Sequence, residues 1–187
     1  MDIPWGSEAA RKFVTNVGLI TTDGPKGPDV MAAEWTHHVS YSPGIIIVNI
    51  NAGNKATAVN IEKSREFGVN IAAEDQNIAS SISGSSSGAD TDKIAVLKDL
   101  GFEFYRASKI KAPMIKGAAL NVECKLIKSE KFGSHIMFVG EAVEVSVGGR
   151  PIAFHDGKYW HLDKQVEKPS QSIRDKIDKL TEKHRRK

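Results

Sequence analysis

The feature that most limits the possible folds is the length of the apolar stretches, because none is longer than a β-strand. The run Ile-Ile-Ile-Val at 45–48 is far short of the roughly 20 residues of a membrane-spanning helix. Elsewhere, as at 67–71 and 122–126, apolar residues alternate with polar ones, which is the period of a strand with one buried face. The sequence predicts a mainly β protein.

Turn-forming residues separate the predicted strands. Residues 17–21 and 30–35 flank a loop rich in Gly, Pro and Asp at 23–29, which predicts a hairpin. After a second turn at 41–44, the near-continuous apolar run at 45–50 predicts a central strand that is buried on both faces.

A change of phase within residues 134–147 predicts an irregular strand. Ile136 and Phe138 lie at even positions, whereas the later valines, beginning with Val143, lie at odd positions. One regular strand cannot bury both sets on one face. We therefore expect a β-bulge or a bend near Gly140, a feature that helps small barrels to close.

Helices are predicted to be few and peripheral. Residues 54–65 and about 75–83 suit short connecting helices, and a third helix begins after Asp90 or Thr91 as its cap and ends before Gly101. Six or seven strands, mostly in hairpin-like succession, favour an antiparallel barrel with the helices packed outside.

The charge is concentrated at the C-terminus. The 187 residues contain 26 Lys and Arg against 23 Asp and Glu, and residues 168–187 hold eight of these bases and three of the acids. The remaining 18 bases and 20 acids leave the body slightly acidic. Within the tail, Ile173, Ile177, Leu180 and His184 form one helical stripe. A solvated terminal helix is the favoured interpretation, ahead of an anchor to nucleic acid or an anionic surface.

Other observations narrow the class of protein. The single Cys124 excludes an intramolecular disulfide and favours a reducing cytosol. The first five residues lack the pattern of an export signal, so a cytoplasmic protein that does not span a membrane is expected. His37 and His38 would point to opposite faces of a strand, and no metal site is predicted. The sequence lacks G-x-G-x-x-G, P-loop and G-x-S-x-G motifs.

Two polar segments in the first third of the chain are candidate ligand sites. Residues 34–40 combine a large aromatic ring, hydroxyls and imidazoles, which suit a flat, heteroatom-rich ligand, although an ordinary exposed strand end explains them equally well. Residues 51–57 open a helix, where backbone N–H groups with Lys55 and Thr57 would form a phosphate site. An Asn54 N-cap beside a solvated Lys55 is the structural alternative.

Two later segments add further candidates. Six of the eight residues at 80–87 are serine, and these hydroxyls suit a phosphate or a ribityl chain, with Lys93 adding charge nearby. A flexible linker is the alternative, although a position between two helical segments counts against it. Residues 151–160 predict a tight hairpin at Asp156 and Gly157, where His155 is either a turn histidine or a hydrogen-bond donor beside a cofactor.

In this order, the four segments resemble the flavin reductase-like family of FMN-binding split-barrel proteins, which includes flavoredoxins and small ferric or flavin reductases. The resemblance covers about 14–160. Its most telling pieces are 31–40 leading into Ser42-Pro43, Ala56-Thr57 ahead of 66–70, 87–93 and 151–159. Gly44 stands where many relatives carry a second proline, a departure that affects the stiffness of the turn more than binding.

The resemblance implies an antiparallel split β-barrel of Greek-key type with a few peripheral helices. This FMN-binding domain would span residues 1–165, followed by a basic, helical or frayed tail at 166–187. The resemblance also implies a homodimer that holds FMN near the subunit interface.

The resemblance assigns expected contacts to individual residues. Those expected around the isoalloxazine ring and ribityl chain are Trp35, Thr36, His37, His38 and Ser40. Those expected around the 5′-phosphate are Asn51, Lys55, Thr57, Ser85, Ser86 and Ser87, with Lys93 nearby. His155 is expected beside the ring, where hydride enters or leaves, as the catalytic residue.

The favoured function is an oxidoreductase that passes hydride from NAD(P)H to FMN, and then electrons to a flavin, a ferric complex or a protein. NAD(P)H would bind transiently, because no Rossmann half is present. One alternative is an FMN-binding electron carrier that another enzyme reduces. The third, ranked last, is a non-enzymatic binding module whose basic tail grips nucleic acid.

Overall fold

The computed structural model describes residues 1–186, a segment that forms twelve strands and four α-helices. The strands are β1 Val14–Asn16, β2 Gly18–Thr22, β3 Asp29–Ala33, β4 Thr36–Tyr41, β5 Gly44–Asn51, β6 Glu66–Ile71, β7 Phe104–Arg106, β8 Pro113–Ile115, β9 Leu120–Phe132, β10 His135–Val147, β11 Ala153–His155 and β12 Lys158–Trp160. The helices are α1 Ala56–Ser64, α2 Asn77–Ser85, α3 Lys93–Asp99 and α4 Gln171–Lys183. Lys187, the last residue of the predicted tail, lies outside the described residues.

The body is built on one seven-stranded antiparallel sheet. Its strand order is β3-β2-β6-β9-β10-β5-β4. The two edge strands, β3 and β4, are joined by only Glu34 and Trp35, so the sheet must curl until its edges approach each other. The Thr36 hydroxyl donates to the Ala33 carbonyl at 2.9 Å across this connection. The predicted mainly β, antiparallel barrel fold is confirmed.

Two small sheets and a core on each side of the main sheet complete the body. Strands β1, β11 and β12 form one small sheet, and β7 and β8 form the other. Inside the curled sheet, Phe67 and Phe138 pack with Ile61 of α1. On the other side, Leu19 and Leu97 belong to a second core that α2 and α3 cover.

The expectation that residues 45–50 are buried on both faces is only half correct. Ile46, Val48 and Ile50 are buried, whereas Ile45 and Ile47 on the opposite face remain partly exposed. Strand β5 lies one strand from the sheet edge, and α1, α2 and α3 pack mainly against β2, β3, β6 and β9. The helices therefore leave one apolar face of β5 accessible.

The predicted irregularity near Gly140 is confirmed. The pairing of β9 with β10 shifts register between Val139 and Gly140, and again between Ala142 and Glu144. The later valines are nevertheless not buried, since Val147 is 84% exposed. Val143, Val145 and Val147 are all exposed. The sequence pattern had suggested that a bulge would let both sets of residues be buried, and for these valines that expectation is wrong.

Three helix boundaries differ from the predictions. Helix α1 begins at Ala56 with Lys55 as its N-cap, not Asn54. Helix α2 extends to Ser85, so most of the serine-rich segment is helical rather than a loop. The cap of α3 is Asp92, whose carboxylate accepts from the Ala95 N–H at 2.9 Å.

The ends of α3 and α4 follow the sequence more closely. Gly101 follows α3 with a φ of +91°, as predicted for a residue just beyond a helix C-terminus. Helix α4 is exposed along its whole length, including its stripe of Ile173, Ile177 and Leu180. Among the described residues, no helix combines the length and the apolar character that crossing a bilayer requires.

Candidate functional site

Trp35 and Asn51 are brought together at one end of the barrel, together with a histidine that the sequence analysis missed. The rings of Trp35 and His135 lie 4.6 Å apart, and His135 pairs with Asn51 across β10 and β5. The Trp35 carbonyl accepts from the Asn49 N–H at 3.0 Å and from its side-chain amide at 3.3 Å. A half-exposed aromatic surface results, beside the start of α1.

The predicted residues of β4 divide between a buried and an exposed set. Thr36 is buried, and its carbonyl accepts from the Asn16 side-chain amide at 2.6 Å. His37 and His38 are exposed and point to opposite faces, as predicted, because they pair with Ile47 and Ile46 of β5. Thr36 therefore stabilises the strand connection, while the histidines remain accessible to a ligand.

Ser40 lies on the same face as His37. The two residues pair with Ile45 and Ile47, which share the outer face of β5. An irregularity at Val39 lies between them. It places both side chains on one face, although residues three positions apart in a regular strand would face opposite sides. The outer face of β4 thus presents an imidazole and a hydroxyl beside two apolar side chains.

The start of α1 is suited to binding an anion. The side chain of its N-cap residue, Lys55, is exposed and forms no capping hydrogen bond, and the first turn contains no acidic residue. The first N–H groups of a helix lack intrahelical acceptors and carry partial positive charge. Asn51 is also exposed, and its side-chain carbonyl accepts from the Gly53 N–H at 2.9 Å, which shapes the turn before the helix.

Thr57 and Lys93 lie together, but their polar groups are engaged inside the protein. The Thr57 hydroxyl donates to one oxygen of Asp29 at 2.5 Å, and the Lys93 ammonium lies 3.0 Å from the other oxygen. All three residues are less than a twentieth exposed, at 1%, 3% and 4% for Thr57, Lys93 and Asp29. The polar groups of both residues, which the sequence placed at or near the phosphate, therefore bind Asp29 inside the protein.

The serine-rich segment borders the same cluster. A side chain at Gly88 would collide with the Asp29 carboxylate, so the loop passes directly over this residue. Ser85 and Ser87 are exposed and Ser86 is partly exposed. The Ser87 carbonyl accepts from the Asp90 and Thr91 N–H groups at 3.1 and 3.0 Å, which orders the loop. The two predicted phosphate segments therefore lie on the same side of the molecule.

His155 lies in the small sheet beside the barrel. It pairs with Val14 of β1, and Asn16 of the same strand contacts the Thr36 carbonyl. The predicted tight turn is present, with φ of +50° at Asp156 and +72° at Gly157. The His155 ring is partly exposed, with Nδ1 3.4 Å from the Phe13 carbonyl oxygen. Strand β1 thus links His155 to the segment that carries Trp35.

Several predicted contacts lie at an accessible surface, where Trp35 is 45% exposed and His37, His38 and Lys55 are also exposed. Two hollows of about 260 and 300 Å³ are lined by other residues, such as Tyr105 and Phe102, and by none of the predicted contacts.

The ionisable groups near the site include one with a clear shift in pKa. Burial raises the pKa of Glu34, next to Trp35, above its ordinary value. Within residues 1–186, no three His, Cys, Asp or Glu side chains are grouped to hold a metal ion.

Comparison with known proteins identifies the family. Residues 10–163 match the sequence model of the flavin reductase like domain. The chain belongs to the flavin reductase-like family. As a flavin reductase-like protein it is an oxidoreductase of a family that binds flavin.

Named relatives extend over most of this flavin reductase-like chain. The reductase component of 4-nitrophenol 4-monooxygenase/4-nitrocatechol 2-monooxygenase from Rhodococcus opacus is 27% identical over 80% of the chain and 76% of the relative. The NADH-dependent flavin reductase of Rhodococcus sp is 23% identical over 83% and 84%. The crystal structure of flavoredoxin from Methanosarcina acetivorans has a TM-score of 0.76 at 21% identity, covering 94% of this chain and 97% of that one, which shows the shared fold.

The residues missed by the sequence analysis are His135, Asn49 and Asp29. Each is distant in sequence from the residue it contacts, and each meets that residue only through strand pairing or helix packing. Asp29 carried a partial signal, because an acidic residue that begins a buried strand needs a partner of opposite charge. His135 and Asn49 carried none.

Proposed function

We propose that the protein binds FMN and oxidises NAD(P)H with it, and that a flavin, a ferric complex or a partner protein accepts the electrons. The main support is the start of α1 with the exposed Lys55. It lies on the same side as the loop at 86–92 and next to the Trp35–His135 pair. An anion-binding helix start beside an aromatic surface fits a ligand with a phosphate at one end and a flat ring at the other.

The phosphate of FMN would be held by the first N–H groups of α1, by Lys55 and by the hydroxyls of Ser86 and Ser87. All of these groups are hydrogen-bond donors, and the side chains of Lys55, Ser86 and Ser87 are at least partly exposed. Thr57 and Lys93 would act behind this surface, because Asp29 already engages their polar groups. This division modifies the assignment from the sequence, in which Thr57 contacted the phosphate and Lys93 added charge nearby.

The ring of FMN would lie against Trp35 and the outer face of β4, with His155 at its edge. FMN supplies the two-electron redox chemistry when it is bound. The residues of this chain orient it and set the polarity around it. The named Rhodococcus relatives, a monooxygenase reductase component and an NADH-dependent flavin reductase, support NADH as the donor and a flavin-using partner as the acceptor.

A homodimer would complete the site. Ile45 and Ile47 of β5, with Met137 and Val139 of β10, form a partly exposed apolar surface, here named the β5–β10 face. His37 and Ser40, proposed ring contacts, border it. A second copy that covers the β5–β10 face would therefore enclose a site that one chain leaves open.

The test is reconstitution followed by reduction. We expect the purified protein to retain FMN, or to bind it with near-equimolar stoichiometry, as measured by the flavin absorption bands. Under anaerobic conditions, NADH or NADPH should bleach these bands at a rate that saturates with nucleotide concentration. A protein that binds FMN but is bleached only when a separate reductase is added would be the electron carrier. A protein that remains colourless after reconstitution would contradict the proposal.

A further inference from the structure

Asp29 connects three segments that are distant in sequence. It is the first residue of β3, and its two carboxylate oxygens contact Thr57 in the first turn of α1 and Lys93 at the start of α3. The loop between α2 and α3 packs on it at Gly88, where any side chain would collide with the carboxylate. Asp29, Thr57 and Lys93 are all buried.

A buried ion pair of this kind is not explained by stability alone. Removing two charges from water is costly, and apolar residues of similar volume often stabilise a protein as well or better. The Asp29–Lys93 pair does, however, fix a distance and a direction between two segments, which apolar contacts would do less specifically. Through Lys93, Asp29 holds the start of α3, which directly follows the loop at 86–92, and through Thr57 it holds the start of α1. The start of α1 and this loop are the segments proposed to bind the phosphate.

We propose that Asp29 is a positioning residue for the flavin phosphate, an inference that rests on the proposed function. By holding Thr57 and Lys93 through separate oxygens, it sets the spacing between the α1 N-terminus and the loop at 86–92. The N–H groups and hydroxyls of the two segments then converge on one phosphate without touching Asp29 itself.

The test compares two ligands that differ only in the phosphate. Dissociation constants for FMN and riboflavin are measured for the wild-type protein and for Asp29→Asn, which keeps the shape of the side chain but removes the ion pair with Lys93. We expect the dissociation constant for FMN to rise about tenfold or more. The value for riboflavin should change by less than about twofold, because its contacts lie elsewhere.

Two further variants separate positioning from general destabilisation. Glu123→Gln is the matched control, since the Glu123 carboxylate is also buried and accepts from the Ser108 and Lys109 N–H groups at 2.9 and 2.6 Å. It should lower the midpoint of thermal unfolding but leave both dissociation constants unchanged. The double variant Asp29→Asn/Lys93→Met removes the unpaired charge and should restore stability, yet FMN binding should remain weak.

The outcomes distinguish this inference from the proposed function. If the wild-type protein binds neither FMN nor riboflavin, the proposed function fails and the inference fails with it. If the wild-type protein prefers FMN but Asp29→Asn weakens both ligands equally, or if the double variant regains FMN affinity, only the positioning role of Asp29 is overturned.

Discussion

At the scale of single residues, Lys55 is the most exposed charge in the proposed phosphate site. Lys55 is the N-cap residue of α1, and its exposed side chain forms no capping hydrogen bond. Lys55→Met keeps the aliphatic stem and removes the charge. We expect FMN affinity to fall about tenfold at low salt and by less at high salt, because an exposed charge is screened. Titrations of FMN and riboflavin at two ionic strengths measure the effect.

The control for Lys55→Met is the same substitution at a second exposed lysine, placed away from the proposed phosphate site. Lys98 lies in the last turn of α3, and Lys98→Met should leave both flavin titrations unchanged. An equal loss of riboflavin and FMN binding in Lys55→Met would show that Lys55 does not act on the phosphate.

His155 is expected to affect turnover rather than flavin binding. Its ring is partly exposed beside the tight turn, with Nδ1 3.4 Å from the Phe13 carbonyl oxygen and the Trp160 ring 6.2 Å away. His155→Ala should slow NAD(P)H-dependent reduction about tenfold or more, since a group that orients the reacting partners is lost. Steady-state rates and an FMN titration separate the two effects. His161→Ala, at an exposed histidine near Glu74, is the control. A His155→Ala protein that purifies without flavin would assign the residue to binding instead.

At the scale of elements, local patterns in the sequence predicted the features that are determined by residues close together in the chain, such as bulges and turns. The phase change around Gly140 predicted the bulge, and the Asp156-Gly157 pair predicted the tight turn, in which both residues have positive φ. The hidden partner of Thr57 could not be predicted in this way. Asp29 is 28 residues away, and only the packing of α1 on β3 brings the two together.

The serine-rich segment at 80–87 shows a second limit of prediction from the sequence. Six serines in eight residues suggested a loop, because serine hydroxyls compete for backbone hydrogen bonds and favour turns. The segment is nevertheless mostly helical, since Ala79, Ser80 and Ser83 bury one face of α2 against the barrel. Small residues allow this close approach, and tertiary packing overrides their weak helix propensity.

At Gly140, in β10, the packing of the strand leaves no room for a side chain. A Cβ there would lie 2.5 Å from a ring carbon of Phe67 and 2.9 Å from the Cβ of Cys124. Gly140→Ala should lower the free energy of unfolding by about 1–3 kcal/mol, the usual cost of overpacking a core. Gly44→Ala in β5, where the new atom would meet Ala142 at an ordinary 3.5 Å, should cost much less. Denaturant unfolding of both variants gives the comparison.

Cys124 provides an independent probe of the same region. Burial, together with the neighbouring Glu123 charge, raises the pKa of its thiol to about 12. The thiol therefore stays protonated and unreactive in the native state at neutral pH. Thiol labelling should be slow in the wild-type protein and clearly faster in Gly140→Ala. Equal labelling rates in both proteins would mean that β10 accommodates the added methyl group without opening.

At the scale of the whole molecule, one chain leaves both its apolar β5–β10 face and its proposed flavin site open. The two adjoin along β4, because His37 and Ser40 pair with Ile47 and Ile45. A dimer formed through this face would bury the isoleucines and cover the site in one step. Flavin binding and dimerisation are then coupled, so each should stabilise the other.

Ile47→Lys tests this coupling. A lysine at the centre of the face would have to be buried without a partner, which disfavours association strongly. We expect the wild-type protein to sediment as a dimer and Ile47→Lys as a monomer, with FMN affinity lowered about tenfold or more. Val96→Lys, at an exposed valine of α3 away from this face, should remain dimeric and bind FMN normally. A monomeric Ile47→Lys that keeps full FMN affinity would confine the flavin site to one chain and leave the dimer without a role in binding.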